Sequence, residues 1–148
     1  MSFQYKFNKV LAIKETEKEQ VVIEYNTAIA HFEKVAERLY ELLKRKEDLE
    51  DEQQQFLQTG VSIQHMRQQQ QFIYNLERII AHQQKLVMKA RQALQEKQAQ
   101  LISKNIEVKK YEVIKQKDFE IYIQENKAID NKLMDELSLQ QYLKQESR

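Results

Sequence analysis

Three histidines, His31, His65 and His82, are the natural first candidates for chemistry in this 148-residue sequence. None has a histidine or carboxylate four residues on, the spacing that sets two metal ligands on one helical face. The adjacent acids Glu50, Asp51 and Glu52 read as a solvated helix surface, because nothing nearby would wall off a pocket. Cysteine is absent, which removes a thiolate nucleophile, a thiolate metal site and any disulfide framework. One glycine, Gly60, cannot build a glycine-rich phosphate loop. These residues therefore predict no catalytic group, no cofactor and no metal, and a protein that is not an enzyme.

Charge is the next candidate for function. Net charge is +1 overall, yet residues 78–117 carry 10 basic and 3 acidic residues. Residues 1–59 carry 9 basic against 12 acidic, and the last 31 residues 4 against 7. A basic stretch between acidic ones suits a helix folding back on an acidic partner helix, or an acidic protein surface. Without an aromatic-rich basic groove, nucleic acid is not expected as a partner.

The elements that position these charges follow from composition. With one Gly and no Pro in the chain, there is turn chemistry for roughly one tight turn. The sequence predicts an all-α fold, a long antiparallel two-helix coiled-coil hairpin whose second helix is the longer. From Phe7 a column runs every seventh residue through Lys14, Val21, Ala28, Val35, Leu42, Leu49 and Phe56. A second, offset by four, runs Leu11, Lys18, Tyr25, Phe32, Leu39, Lys46 and Gln53. Together they form a 3-4 repeat of coiled-coil type. Past Gly60 the repeat resumes as Met66, Ile73, Ile80, Val87, Leu94, Leu101, Val108, Lys115, Tyr122 and Ile129, with the more polar companion Leu76, Gln83, Ala90, Lys97, Lys104 and Tyr111. Expected bounds are about 4–58 for helix one, 59–62 for the turn and 63–130 for helix two. A tail expected to fray covers about 131–148. Gly60 suits a left-handed helix terminus and Ser62 the next N-cap, although His65 replaces the usual capping-box acid or amide.

Antiparallel pairing requires facing residue numbers to share one sum. Leu42 with Ile80, Val35 with Val87 and Val21 with Leu101 all give 122, which centres the fold-back beside Gly60. A parallel homodimer of one straight helix is the rival, but the heptad frame shifts at the glycine. Two features exceed what a hairpin needs. Phe72, Ile79, Leu86 and Ala93 make a surplus apolar column, expected to meet a partner or to widen the seam. Residues beyond 121 have no opposing helix yet include Ile123, Leu133, Met134, Leu137 and Leu143, a tail expected to fray and to order on binding. The opening MSFQYKFNKVL lacks a signal-peptide core, and no apolar run reaches the ~20 residues of a membrane span. A soluble, cytoplasmic chain is the expectation.

The run Gln70-Gln71-Phe72-Ile73-Tyr74-Asn75-Leu76-Glu77 followed by Ile80 resembles the "QQFI..LE..I" signature of the FliJ family of flagellar export proteins. It starts ten residues past the glycine, as in that family. Phe3 to Leu11 resembles the family's N-terminus, and Lys132-Leu133-Met134-Asp135-Glu136 its late "K.MDE" element. The resemblance implies a protein shaped like the central stalk of rotary ATPases. Implied partners are the export ATPase hexamer, the cytoplasmic linker of the membrane export-gate protein, and export chaperones, with a monomer when free. It maps the gate-binding ridge to Phe72, Leu76, Ile79 and Gln83, although the family often has a smaller residue at Ile79 and His at Gln83. It maps the ATPase-binding end to Phe3, Phe7, Leu11, Lys109, Lys110, Lys115 and Lys117. A virulence-type secretion stalk shares this architecture, and a passive coiled-coil scaffold remains the alternative of a different class.

Overall fold

The computed structural model describes residues 2–147. Two helices account for most of them, α1 (Asn8–Thr59) and α2 (Ile63–Glu146), of 52 and 84 residues. No strand occurs among the described residues. The fold is the all-α antiparallel hairpin that the heptads predict, with the second helix longer.

The turn works as its residues suggest. Gly60 takes φ +83, and its N–H donates to the Phe56 carbonyl at 2.9 Å, a left-handed close that L side chains resist. A Cβ there would meet nothing within 4 Å, so backbone conformation rather than space selects glycine. Ser62 caps α2, its Oγ accepting from the His65 N–H at 3.2 Å. The Phe56 and His65 rings meet edge to face across the turn at 5.2 Å.

Contacts divide the chain into two units. One comprises Glu19–Ile102 and the other the residues up to Lys18 with those from Ser103 on. In the first, Leu42, Leu76 and Ile80 are buried together, with Leu39 and Leu49 packed on them. Leu42 with Ile80 is a pair on the expected sum of 122. The inter-helix ion pairs Lys97–Glu24 and Lys46–Glu77 fall one residue to either side of it. Rising numbers on one helix thus meet falling numbers on the other, so the pairing is antiparallel. Every position of both columns, from Phe7 just ahead of α1 to Phe56 within it, is buried or half-buried.

In the second unit, Tyr5, Leu11 and Val108 are buried, with Phe3, Phe7, Tyr111 and Ile114 packed against them. Residues 2–7 are not helical, so α1 begins later than the expected residue 4. α2 in turn runs to Glu146, past the expected boundary near 130, as a helix exposed at every described residue from Lys127 on.

Candidate functional site

Seam lysines would be costly if their charge were buried alone. Lys14, Lys46, Lys97 and Lys104 instead lay their methylene stems along the seam and carry the ammonium out to a glutamate of the other helix. Lys14 and Lys104 close a four-membered charge ring with Glu17 and Glu107, every edge between 3.1 and 3.6 Å. The hydrogen bond from Lys104 holds the Glu17 carboxyl below the usual glutamate range, helped by the Lys104 and Lys14 charges, while burial opposes. Hydrogen bonds from Lys97 and Gln20 do the same for Glu24. Lys104 is raised, chiefly by its hydrogen bond to Glu17.

Linkage turns these shifts into a stability profile. A carboxyl whose folded pKa lies below its unfolded value stabilises above the unfolded value and ceases to as pH falls through the folded one. For a raised lysine the contribution is complete below its unfolded value and is lost as pH climbs through the folded one. The melting midpoint should therefore be flat near neutrality, decline below about pH 4.5 and decline again above about pH 10.5. Thermal melts followed by circular dichroism across that range, with Glu17→Gln alongside, test this. An acid limb no shallower in Glu17→Gln would remove the ring from the explanation.

Only part of the basic stretch is used this way. Of the ten basic residues in 78–117, Lys97 and Lys104 alone form ion pairs among the described residues. The expected neutralisation by an acidic partner helix is thus confined to Lys97 and Lys104 in the seam; Lys115 stands beside α1 without an ion pair among the described residues.

The resemblance-based ridge splits in two. Leu76 is 5% exposed and belongs to the seam. Gln83 is half-buried, and its Nε2 donates to the Val35 carbonyl at 3.0 Å, so its amide serves the hairpin. Phe72 and Ile79 remain open, 48% and 52% exposed. They flank a shallow groove shared with Arg38, Glu41 and Arg45. The Arg45 guanidinium lies over the Phe72 ring, 5.6 Å from its centroid. In the surplus column Ala93 is also exposed, while Leu86 is half-buried. Helix one therefore does not widen to cover Phe72 and Ile79.

In the second unit, Phe3, Phe7 and Leu11 do come together. The Phe3 ring lies 5.2 Å from Phe119 and 5.4 Å from Tyr122, and Phe7 lies 6.1 Å from Tyr111. Tyr5 is the residue that sequence reasoning missed. It is 7% exposed and its hydroxyl donates to the Tyr111 carbonyl at 3.0 Å. Burial pushes the Tyr5 phenol up, with Asp118 adding to the effect. The signal was there in Phe3, Tyr5 and Phe7, aromatic at every second residue, which is the period of an extended segment rather than a helix. Lys115 joins Lys6 and Lys9 at an open cleft beside this cluster. Lys109, Lys110 and Lys117 do not join it; they are exposed on the face of α2 turned away from Val108 and Tyr111.

Together these features define a coiled-coil hairpin carrying an uncovered apolar ridge and an aromatic terminal cluster. No helix among the described residues is long and apolar enough to cross a membrane. The family model of the flagellar FliJ protein matches residues 3–147. The chain is 44% identical over 143 residues to the flagellar FliJ protein of Bacillus subtilis (strain 168), covering 97% of each chain. It belongs to the FliJ family, and so to the proteins of flagellum biogenesis and flagellar protein export. No solved structure gives a significant match.

Proposed function

We propose that this chain is the non-enzymatic stalk of the flagellar type III export apparatus. It binds the export ATPase ring and couples it to the cytoplasmic linker of the membrane export gate and to export chaperones. It is cytoplasmic and reaches the membrane face through those partners. The observation that carries the reading is the uncovered pair Phe72 and Ile79, carried on the helix that also supplies the seam. Two large apolar side chains on one helix face, about two turns apart, favour a protein partner over water. The aromatic cluster, with Phe3, Phe7 and Lys115 set around the buried Leu11, supports a second binding surface, assigned to the ATPase.

Light scattering with and without the export ATPase and nucleotide tests the assignment. The expected result is a monomer near 17.9 kDa that joins the ATPase oligomer at fewer than one copy per ATPase subunit. A stable homodimer indifferent to the ATPase would withdraw the stalk in favour of a passive scaffold. Binding to a virulence-type ATPase but not the flagellar one would move it to the other secretion system.

A further inference from the structure

α1 carries a surplus apolar column of its own. Val22, Ile29, Ala36 and Leu43 stand seven residues apart, each one position on from a seam residue. The first three are half-buried and Leu43 is 43% exposed. Heptad geometry sets this column beside Leu39 and Lys46, and sets Arg38 and Arg45 on the opposite flank of the seam. Arg38 and Arg45 share a groove with Phe72 and Ile79, so the column lies on the flank away from that ridge. The α2 wall on this flank is polar. Lys46 reaches Glu77 at 3.5 Å, and the Gln53 amide donates to Gln70 at 3.1 Å. Gln84, Arg91 and Gln98 continue the same α2 column. Tyr40 and Met88, 66% and 64% exposed, stand at the outer edges.

Charge on this flank is mostly of one sign. The next column out on α1 is Glu19, Asn26, Glu33, Tyr40 and Glu47, exposed throughout. None of its three glutamates forms an ion pair among the described residues. Against them Arg91 is the one cation on the facing α2 column. The ridge flank of the same helix instead presents Arg38 and Arg45.

We propose that this second flank, from Glu19 to Glu47, docks a helix of a partner protein whose edge toward α1 is basic. The apolar floor repeats every seven residues, about 10.5 Å along the axis. A helix in heptad register matches that step, whereas a strand with its period of two does not. The unpaired carboxylates select cations on the occupant. They also repel the phosphates of nucleic acid and of an anionic bilayer. Lysine or arginine stems of the docked helix would cover the edge of the column as their charged ends meet Glu33 and Glu47. Neither the ridge nor the terminal cluster takes part, so the inference stands apart from the stalk reading. Occupants of the two flanks do not compete for the same side chains, so the hairpin can hold both at once.

The test uses the intact chain and labelled three-heptad peptides with leucine in the seam, followed by fluorescence anisotropy. One peptide carries lysine along its seam edges and the other glutamate. The expected result is saturable binding of the lysine peptide, at least tenfold tighter than the glutamate peptide and weakened by salt. Glu33→Lys with Glu47→Lys should weaken it at least tenfold, and Glu33→Gln with Glu47→Gln less so. Tyr40→Ser with Leu43→Ser should weaken it at unchanged charge. The glutamate positions are fully outside the seam, so their variants should keep the parent's circular dichroism melt. Phe72→Ala with Ile79→Ala, on the other flank, should leave the affinity unchanged. Loss of binding in that ridge variant would place the peptide on the ridge and overturn the proposal. So would equal binding of the glutamate peptide or of a scrambled lysine peptide, or indifference to the Glu33 and Glu47 substitutions. No flagellar component enters the assay, so its failure leaves the stalk assignment untouched.

Discussion

Leu42→Asp is expected to abolish the cooperative melt of the unit formed by Glu19–Ile102. Leu42 is 5% exposed, in contact with the buried Leu76 and Ile80. Truncating such a leucine costs roughly 2–5 kcal/mol through lost transfer energy and the cavity left behind. The aspartate adds the cost of a carboxylate among apolar side chains, or of protonating it to avoid that burial. A total of about 5 kcal/mol or more is comparable with the whole stability of a small domain. Helicity at 25 °C should fall sharply, and the remaining signal should melt without a sigmoid. Leu43→Asp is the matched control. Leu43 is 43% exposed, one position around the helix, and its variant should melt close to the parent. A Leu42→Asp protein as helical and stable as the parent would refute the register.

That register was legible because helical packing writes itself into sequence at long range. The two α1 columns, the resumption after Gly60 and the shared sum together determine which residues face each other, and Leu42 with Ile80 is an instance. Even the polar interruptions belong to the pattern. A lysine can occupy a seam position when its stem spans the interface and a glutamate waits on the far side, as Glu17, Glu24 and Glu77 do. Pairing of that kind depends on rotamers and on one-residue offsets, which column arithmetic cannot resolve.

The two ends were less legible, each for a different reason. Residues 2–7 were assigned in part to helix one because the heptad column begins at Phe7. What they do is lay Phe3, Tyr5 and Phe7 along α2, with the Asn8 N–H donating to the Tyr5 carbonyl at 3.1 Å as α1 starts. Beyond Tyr122 the apolar residues persist, but among the described residues Ile123 and every later apolar residue are exposed. A residue such as Leu133, 52% exposed, has a core residue's identity without a core. Gln83 shows the converse limit: the heptads put it in the companion column, the resemblance maps it to the ridge, and its bond to the Val35 carbonyl could be seen only with both helices in place.

The same distinction between identity and placement gives the ridge its sharpest test. Phe72→Ala with Ile79→Ala should weaken binding to the proposed export-gate linker by tenfold to several hundredfold. The estimate assumes that each side chain contributes roughly 1.5–3 kcal/mol when a partner buries it, and that only part of this is realised at an interface. Both residues are about half exposed in the free chain, so the helical melt should move little. The Arg45 contact over the Phe72 ring is solvent-facing and accounts for at most about 1 kcal/mol. Leu76→Ala separates the two roles. Leu76 is buried with Leu42 and Ile80, so its loss should lower the melting midpoint and weaken gate binding only through the hairpin. Titration calorimetry against the linker segment, paired with thermal melts, reads both quantities on the same proteins. If the double alanine variant melts as Leu76→Ala does, Phe72 and Ile79 are core and the ridge is not a docking surface. If its melt is unchanged and linker binding is too, the ridge is exposed but serves another partner.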